Sequence, residues 1–319
     1  MNLLEQLKLQ SKVVADSGDF ESVKKFKPLD STTNPSLIYA AAKDEKYAYL
    51  IDGAIAYAKS KSSDRTEQVR IAFEKLFIDF GVEILKIVPG RVSIEVDARL
   101  SFDIEGSVRK ARELIGLFEE AGVDRKRILI KLAATWEGIK AAEILSRENI
   151  HCNLTLLFSL PQAIACAEAG VQLISPFVGR VLDWYTNANP QKVYLPDEEP
   201  GVWLVRNIFN YYKKFGYDTE IMCASFRNSA EILELSGCDL MTISPSYLSE
   251  LEGRSGDLIQ KLVVKDAQVS TIKKISLDEK TFRWLLNEDA MATEKLAEGI
   301  RKFTIDILKL EELLSGKLE

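Results

Sequence analysis

The chain has 319 residues, 46% of them hydrophobic, and a net charge of −6. That is enough apolar material for a large core, and the acidic balance with no Lys/Arg block argues against a nucleic-acid face. No apolar run approaches the ~20 residues of a membrane span, and a single histidine, His151, cannot build a zinc site of two or more imidazoles within one chain. A Ser-His-Asp triad would also need His151, and nothing near it marks a nucleophile elbow. Acid–base work therefore falls to carboxylates, lysine, tyrosine or water. His151 itself, at the entry to a strand, reads as structural.

Taken in chain order, residues 2–10 form a short amphipathic start without the layout of a signal peptide. Strand-like runs come next at 12–16, 29–33, 92–97, 128–133, 151–157, 173–178, 220–226 and 240–244, with helical patterns between them. Residues 107–121 carry Val108, Ala111, Leu114, Ile115 and Phe118 at helical spacing, closed by Gly122. Ser159 is the expected N-cap of another helix, with Pro161 in its first turn. Residues 293–314 put Leu296, Ile300, Phe303, Ile307, Leu310 and Leu314 on one helical face. Cys152, Cys166, Cys223 and Cys238 are scattered without a C-x-x-C pair, so buried reduced thiols and a cytoplasmic location are expected.

Eight strands alternating with helices predict an α/β chain folded as a single-domain (β/α)8 TIM barrel over residues 1–319. Additional helices fall at the N-terminus, between strands two and three, and at the C-terminus. A doubly wound open sheet is the alternative, but no G-x-G-x-x-G or P-loop follows any strand.

Alternation along each strand then assigns faces. Lys131, within the apolar run Ile128-Leu129-Ile130-Lys131-Leu132-Ala133-Ala134, is taken as inward. A lone lysine there reads either as an edge residue snorkelling to water or as a desolvated amine able to attack a carbonyl. The neighbours favour the second reading. Ser93, Glu95 and Asp97 share a face on the third strand, and so do Asn153 and Thr155 on the fifth. Ser175 pairs in parity with Phe177, Ser225 with Arg227, and Val14 with Asp16. A barrel interior built for stability would be layers of Val, Ile and Leu, whereas these polar positions cluster toward the C-terminal strand ends, where barrel active sites form.

Two segments, Asp30-Ser31-Thr32-Thr33-Asn34-Pro35-Ser36-Leu37-Ile38 and the Lys131 strand continuing into Thr135-Trp136-Glu137-Gly138, resemble the signature segments of transaldolases. Cys152-Asn153-Leu154-Thr155-Leu156-Leu157-Phe158-Ser159 and Ser175-Pro176-Phe177-Val178-Gly179-Arg180 resemble further segments of that family. The likeness covers essentially the whole chain and fits the long-form subfamily of bacteria and eukaryotes.

The resemblance implies transfer of a dihydroxyacetone unit between sugar phosphates in the non-oxidative pentose phosphate pathway, with neither metal nor organic cofactor. It implies a homodimer, while charge and hydropathy give the expectation of no nucleic-acid or membrane partner. By the same likeness Lys131 forms the Schiff base, Glu95 and Thr155 work through a water, and Asp16 takes the C4 hydroxyl proton. Asn34 and Asn153 hold the dihydroxyacetone hydroxyls, with Ser175 nearby. Arg180 and Arg227 match the phosphate site, with Ser225 alongside, and guanidinium forks suit phosphate geometry. Without the likeness, Asp16 reads equally well as a turn residue before Gly18, and Asn34-Pro35 as a helix start. Related fructose 6-phosphate aldolases are shorter and carry tyrosine where this chain has Phe177. A tyrosine hydroxyl can position a hydrolytic water and phenylalanine cannot, so Phe177 points to transfer over free aldol cleavage. An inactive sugar-phosphate-binding protein is the reading from a different class, and a metal-dependent aldolase is disfavoured by the single histidine.

Overall fold

Eight short parallel strands close on themselves in chain order: β1 Lys12–Asp16, β2 Asp30–Thr32, β3 Val92–Glu95, β4 Ile128–Ala133, β5 Cys152–Leu157, β6 Leu173–Pro176, β7 Glu220–Cys223 and β8 Leu240–Ile243, with β8 pairing back onto β1. The computed structural model describes residues 1–318. This is the expected (β/α)8 barrel, and the two side-chain parities separate as alternation demands. Outward residues such as Ile94, Ile130, Leu154, Ile174 and Ile221 join the main core under the helices. Inward Val14, Leu129, Leu173, Met222 and Leu240 form a second, smaller apolar cluster inside the barrel.

Several strands stop short of the expected C-terminal ends, because the residues there serve the loops. Asp97 leaves the ladder to accept from the Arg99 backbone N–H at 2.8 Å. Phe177 is already the residue before the helix Val178–Ala188, and Ser244 precedes the helix Pro245–Glu252. Helices begin earlier than hydrophobic spacing indicates, since aspartate caps extend them. Asp103 caps Ile104–Glu120 and Asp289 caps Ala290–Lys317. Ser159 caps Leu160–Glu168 in a capping box with Gln162, as expected.

The added helices Pro35–Ala41, Ala48–Lys61 and Arg65–Leu85 lie between β2 and β3, and Leu3–Gln10 precedes β1. The terminal helix Ala290–Lys317 packs against β5 and against the helices Pro35–Ala41, Arg65–Leu85 and Val178–Ala188, so it spans the C-terminal mouth. Gly299 permits that approach, since a Cβ there would sit 2.5 Å from Leu156 Cδ2. One helical turn later on the same face stands Phe303. Leu156 itself has φ +55°, and the β5–β6 register shifts between Leu154 and Leu157, so strict alternation on β5 ends at Thr155.

Candidate active site

The C-terminal strand ends surround a cavity of about 260 Å3. All the expected site residues except Glu95 and Asn153 line it. Lys131 is placed by β4, whose register sets it beside Glu95 on β3 and Asn153 on β5. It is 5% exposed, and its Nζ donates to the Thr33 carbonyl at 3.3 Å. Glu95 Oε2 lies 3.0 Å from the same nitrogen, yet it has no hydrogen-bond partner among the described residues: the contact is an ion pair without hydrogen-bond alignment. Burial raises the Glu95 pKa, against the opposing pull of Lys131 and Arg180. Thr155 Oγ1 is likewise buried and without a partner among the described residues.

Asp16 reaches the cavity from the end of β1. Water can touch it there, but protein surrounds it, and desolvation raises its pKa against Lys131, a Thr32 hydrogen bond and Arg180. Thr32 Oγ1 donates to Asp16 Oδ1 at 3.1 Å and lies 2.9 Å from Thr242 Oγ1. Because the first bond commits the Thr32 proton, Thr242 is the donor in the second while Asp16 is ionised. Register explains the chain: Asp16 pairs with Thr32, and Val14, of the same parity, pairs with Thr242.

Asn153 sits below the cavity floor rather than on it. Its Nδ2 donates to Ser93 Oγ at 3.1 Å and its Oδ1 accepts from Ser175 Oγ at 2.7 Å, so it holds Ser175 at the surface of the cavity. Asn34 is a helix start as well as a lining residue: its Oδ1 caps Pro35–Ala41 through the Leu37 N–H at 2.9 Å. Its Nδ2 has no partner among the described residues and is left to the cavity.

The rim is cationic. Arg180, in the first turn of Val178–Ala188, stacks its guanidinium 4.7 Å from the Phe177 ring centroid and 5.8 Å from that of Phe303, with no ion pair among the described residues. Burial, then the neighbouring Arg227, lower its pKa. Arg227 follows β7, and its Nη2 binds Asp183 Oδ2 at 2.8 Å while Nη1 donates to Ser225 Oγ at 3.3 Å. Gly179 lets the two arginine-bearing segments meet, since a Cβ there would lie 2.4 Å from Arg227 Cγ.

Thr32, Thr242, Ser244, Tyr247 and Phe303 also line the cavity and were not anticipated there. Strand parity on β2 and β8 held the signal for the two threonines. Phe303 gave none, because its place in an apolar helix face fits a core residue equally well. His151 is far from this end, at the entry to β5, with its pKa lowered by burial and by Arg91. The four cysteines are free and buried, as expected.

A closed barrel presenting a buried lysine between two desolvated carboxyls, with two arginines at the rim, defines a class of site suited to imine chemistry on an anionic carbonyl compound. Residues 13–314 match the family model described as Transaldolase/Fructose-6-phosphate aldolase. Similar curated proteins include a probable transaldolase of Drosophila melanogaster, 58% identical over 320 residues, covering 100% of this chain and 97% of the relative. The transaldolase of Mannheimia succiniciproducens is 58% identical over 315 residues, with 99% of each chain covered. That of Homo sapiens is 56% identical over 316 residues, covering 99% of this chain and 94% of the relative. The chain belongs to the transaldolase/fructose-6-phosphate aldolase family, and it is a transferase enzyme. No helix among the described residues is long and apolar enough to cross a membrane.

Proposed function

We propose that the enzyme is a transaldolase of the non-oxidative pentose phosphate pathway. It moves a dihydroxyacetone unit from sedoheptulose 7-phosphate to glyceraldehyde 3-phosphate, giving fructose 6-phosphate and erythrose 4-phosphate, through a Schiff base on Lys131. The observation that carries this reading is Lys131 itself, buried beside Glu95 at 3.0 Å and walled into the same cavity as Asp16.

Glu95, whose pKa burial raises, takes the ammonium proton and leaves an amine to attack the ketose C2. The carbinolamine hydroxyl then takes that proton and departs as water, leaving the iminium. Glu95 Oε2 and Thr155 Oγ1, each buried without a partner among the described residues, are each free to bond a water. Asp16 removes the C4 hydroxyl proton, the C3–C4 bond breaks, and its electron pair moves into the iminium as an enamine. A base whose pKa is raised by burial binds that proton better than an exposed carboxylate would. Asn34 and Ser175 hold the hydroxyls of the bound three-carbon unit, with Asn153 fixing Ser175 from beneath. Arg180 and Arg227 receive the phosphate, and Ser225 supports Arg227. Phe177, packed edge-on against Phe158 at 5.6 Å, offers no hydroxyl to hold a hydrolytic water, which supports transfer over release of free dihydroxyacetone.

Borohydride reduction in the presence of fructose 6-phosphate, followed by peptide mass mapping, is expected to trap a three-carbon or six-carbon adduct on Lys131. An unmodified Lys131 would sink the reading. Product analysis without an aldehyde acceptor separates transferase from aldolase, the transferase releasing little dihydroxyacetone. The proposal includes a homodimer in the cytoplasm, and a monomer mass in sedimentation would remove the dimer from it.

A further inference from the structure

Glu95 does not line the substrate cavity, although its carboxyl is 3.0 Å from Lys131 Nζ. It lines two other spaces. One is a small recess of about 10 Å3, bounded also by Leu100, Ala133 and Phe303, close to the volume a single water needs. The other is a groove of about 480 Å3 on the far side, between the helices Arg65–Leu85 and Ile104–Glu120, floored by Phe73, Phe77 and Leu114. Asp97 and Leu100 are walls of both spaces. Phe303 is a wall of both the recess and the substrate cavity, so it screens one from the other.

Most charges on the rim of the groove are matched, and Arg109 is the exception, with no ion pair among the described residues. Arg70 and Lys110 both pair with Glu74, and Arg99 pairs with Asp97 and Glu311. Glu95 stands at the inner end of this groove, beyond the paired charges. We propose that this groove is a second entrance to the active site, through which water and carboxylic acids of formate size reach Glu95 without passing the substrate.

The inference rests on the acid–base assignment of Glu95 above. Imine formation there expels one water and product release consumes one. Substrate in the 260 Å3 cavity stands between Lys131 and the front opening, while Phe177 and Phe303 wall the cavity with apolar surface. A water formed at C2 on the Glu95 side then has the rear space to enter, and the catalytic carboxyl can trade protons with solvent while the front is filled.

Chemical rescue of Glu95→Gly tests the route, with formate as the probe. Turnover is expected to fall, and formate to recover about tenfold of the loss, within the usual worth of a positioned acid. The apparent formate constant is expected not to change as fructose 6-phosphate is raised to saturation, because the two solutes enter by different doors. Adding Leu100→Trp to Glu95→Gly should abolish rescue. If that variant does not fold, Leu100→Ala should lower the formate concentration required. Rescue that competes with substrate, rescue indifferent to both Leu100 changes, or no rescue in a folded, slow Glu95→Gly enzyme would each overturn the entrance alone. A Glu95→Gly enzyme of near wild-type speed would instead sink the role of Glu95.

Discussion

The two ends of the barrel handle the same kinds of residue in opposite ways. At the N-terminal end Arg91 binds Asp30 at 2.8 Å and Glu220 at 2.7 Å, and Lys12 binds Glu220 at 3.0 Å. Every charge in that plug has a partner. Above it the five inward aliphatic residues from Val14 to Leu240 seal the interior. At the C-terminal end Arg227 is paired with Asp183, but the groups around Lys131 are close and under-bonded. Among the described residues Glu95 Oε2 and Thr155 Oγ1 lack hydrogen bonds, Asp16 keeps one from Thr32, and Arg180 rests on aromatic faces without an ion pair. Satisfied polar groups hold a structure in one state, whereas unsatisfied ones are available to a substrate. The barrel thus divides its ionic residues into a stability end and a reactive end.

The largest effect that would separate the ends is loss of the amine. Lys131→Ala is expected to lower kcat by roughly a thousandfold or more, as removal of a covalent nucleophile does. Circular dichroism and urea unfolding should show the fold kept, and a turnover near wild type would mean that the chemistry lies elsewhere. Arg91→Met is the opposite case. It strands Asp30, whose side chain is 5% exposed, and should cost roughly 2–3 kcal/mol of stability, below the ~3–5 kcal/mol of a fully buried pair. Urea midpoints measure this, and kcat of the folded fraction should stay within about twofold, as expected for distant sites. A large kcat loss in Arg91→Met would erase the division between the ends.

How far each end was legible in the sequence depends on the same physics. Period-two alternation exposed Lys131, Glu95, Asp16, Asn153 and Thr155 as inward, because a polar residue in an apolar run is conspicuous. It failed where the backbone left the regular ladder. Leu156 at φ +55° and Ser225 at φ +63° break the alternation, so the residues beyond β5 and β7 were not readable from parity. Alternation placed Asn153 inward and the family likeness gave it the dihydroxyacetone hydroxyls, but face alone does not set depth, which depends on strand stagger as well. Phe303 was invisible for another reason: the terminal helix reaches the mouth through Gly299 meeting Leu156, a contact that no local pattern encodes. The N-terminal plug escaped notice because Lys12, Asp30, Arg91 and Glu220 look like ordinary strand-edge charges until the barrel closes.

A smaller test probes how the reactive end is tuned. Thr32→Val removes the hydroxyl bonded to Asp16 at 3.1 Å, a bond to a charged group worth about 1.5–3 kcal/mol. Cleavage should slow roughly tenfold. That hydrogen bond lowers the Asp16 pKa, so its loss raises it further. A base works when deprotonated, so the acid limb of the pH–rate profile should move to higher pH. Thr32→Ser should restore the limb. An unmoved limb with an equal fall in rate would make Thr32 a packing residue.

The smallest effect is on stability, and desolvation sets its sign. Burial raises the Asp16 pKa above the ordinary carboxylate value. Between that ordinary value and the raised one, the native state holds a proton that the unfolded chain has released, so stability falls as pH rises through this window. Above it the full penalty of an ionised, desolvated carboxylate is present; below about pH 4 it vanishes, because both states are protonated. Asp16→Asn removes the penalty while keeping the shape. Its unfolding midpoint in urea should therefore exceed that of the wild type at about pH 8, and the gap should close toward about pH 4, even though cleavage is lost. A matching exchange at the other end, Asp30→Asn, should destabilise at the same alkaline pH, because there the carboxylate is fully paired with Arg91. If both exchanges moved stability in the same direction, the two ends would not differ in how their charges are held.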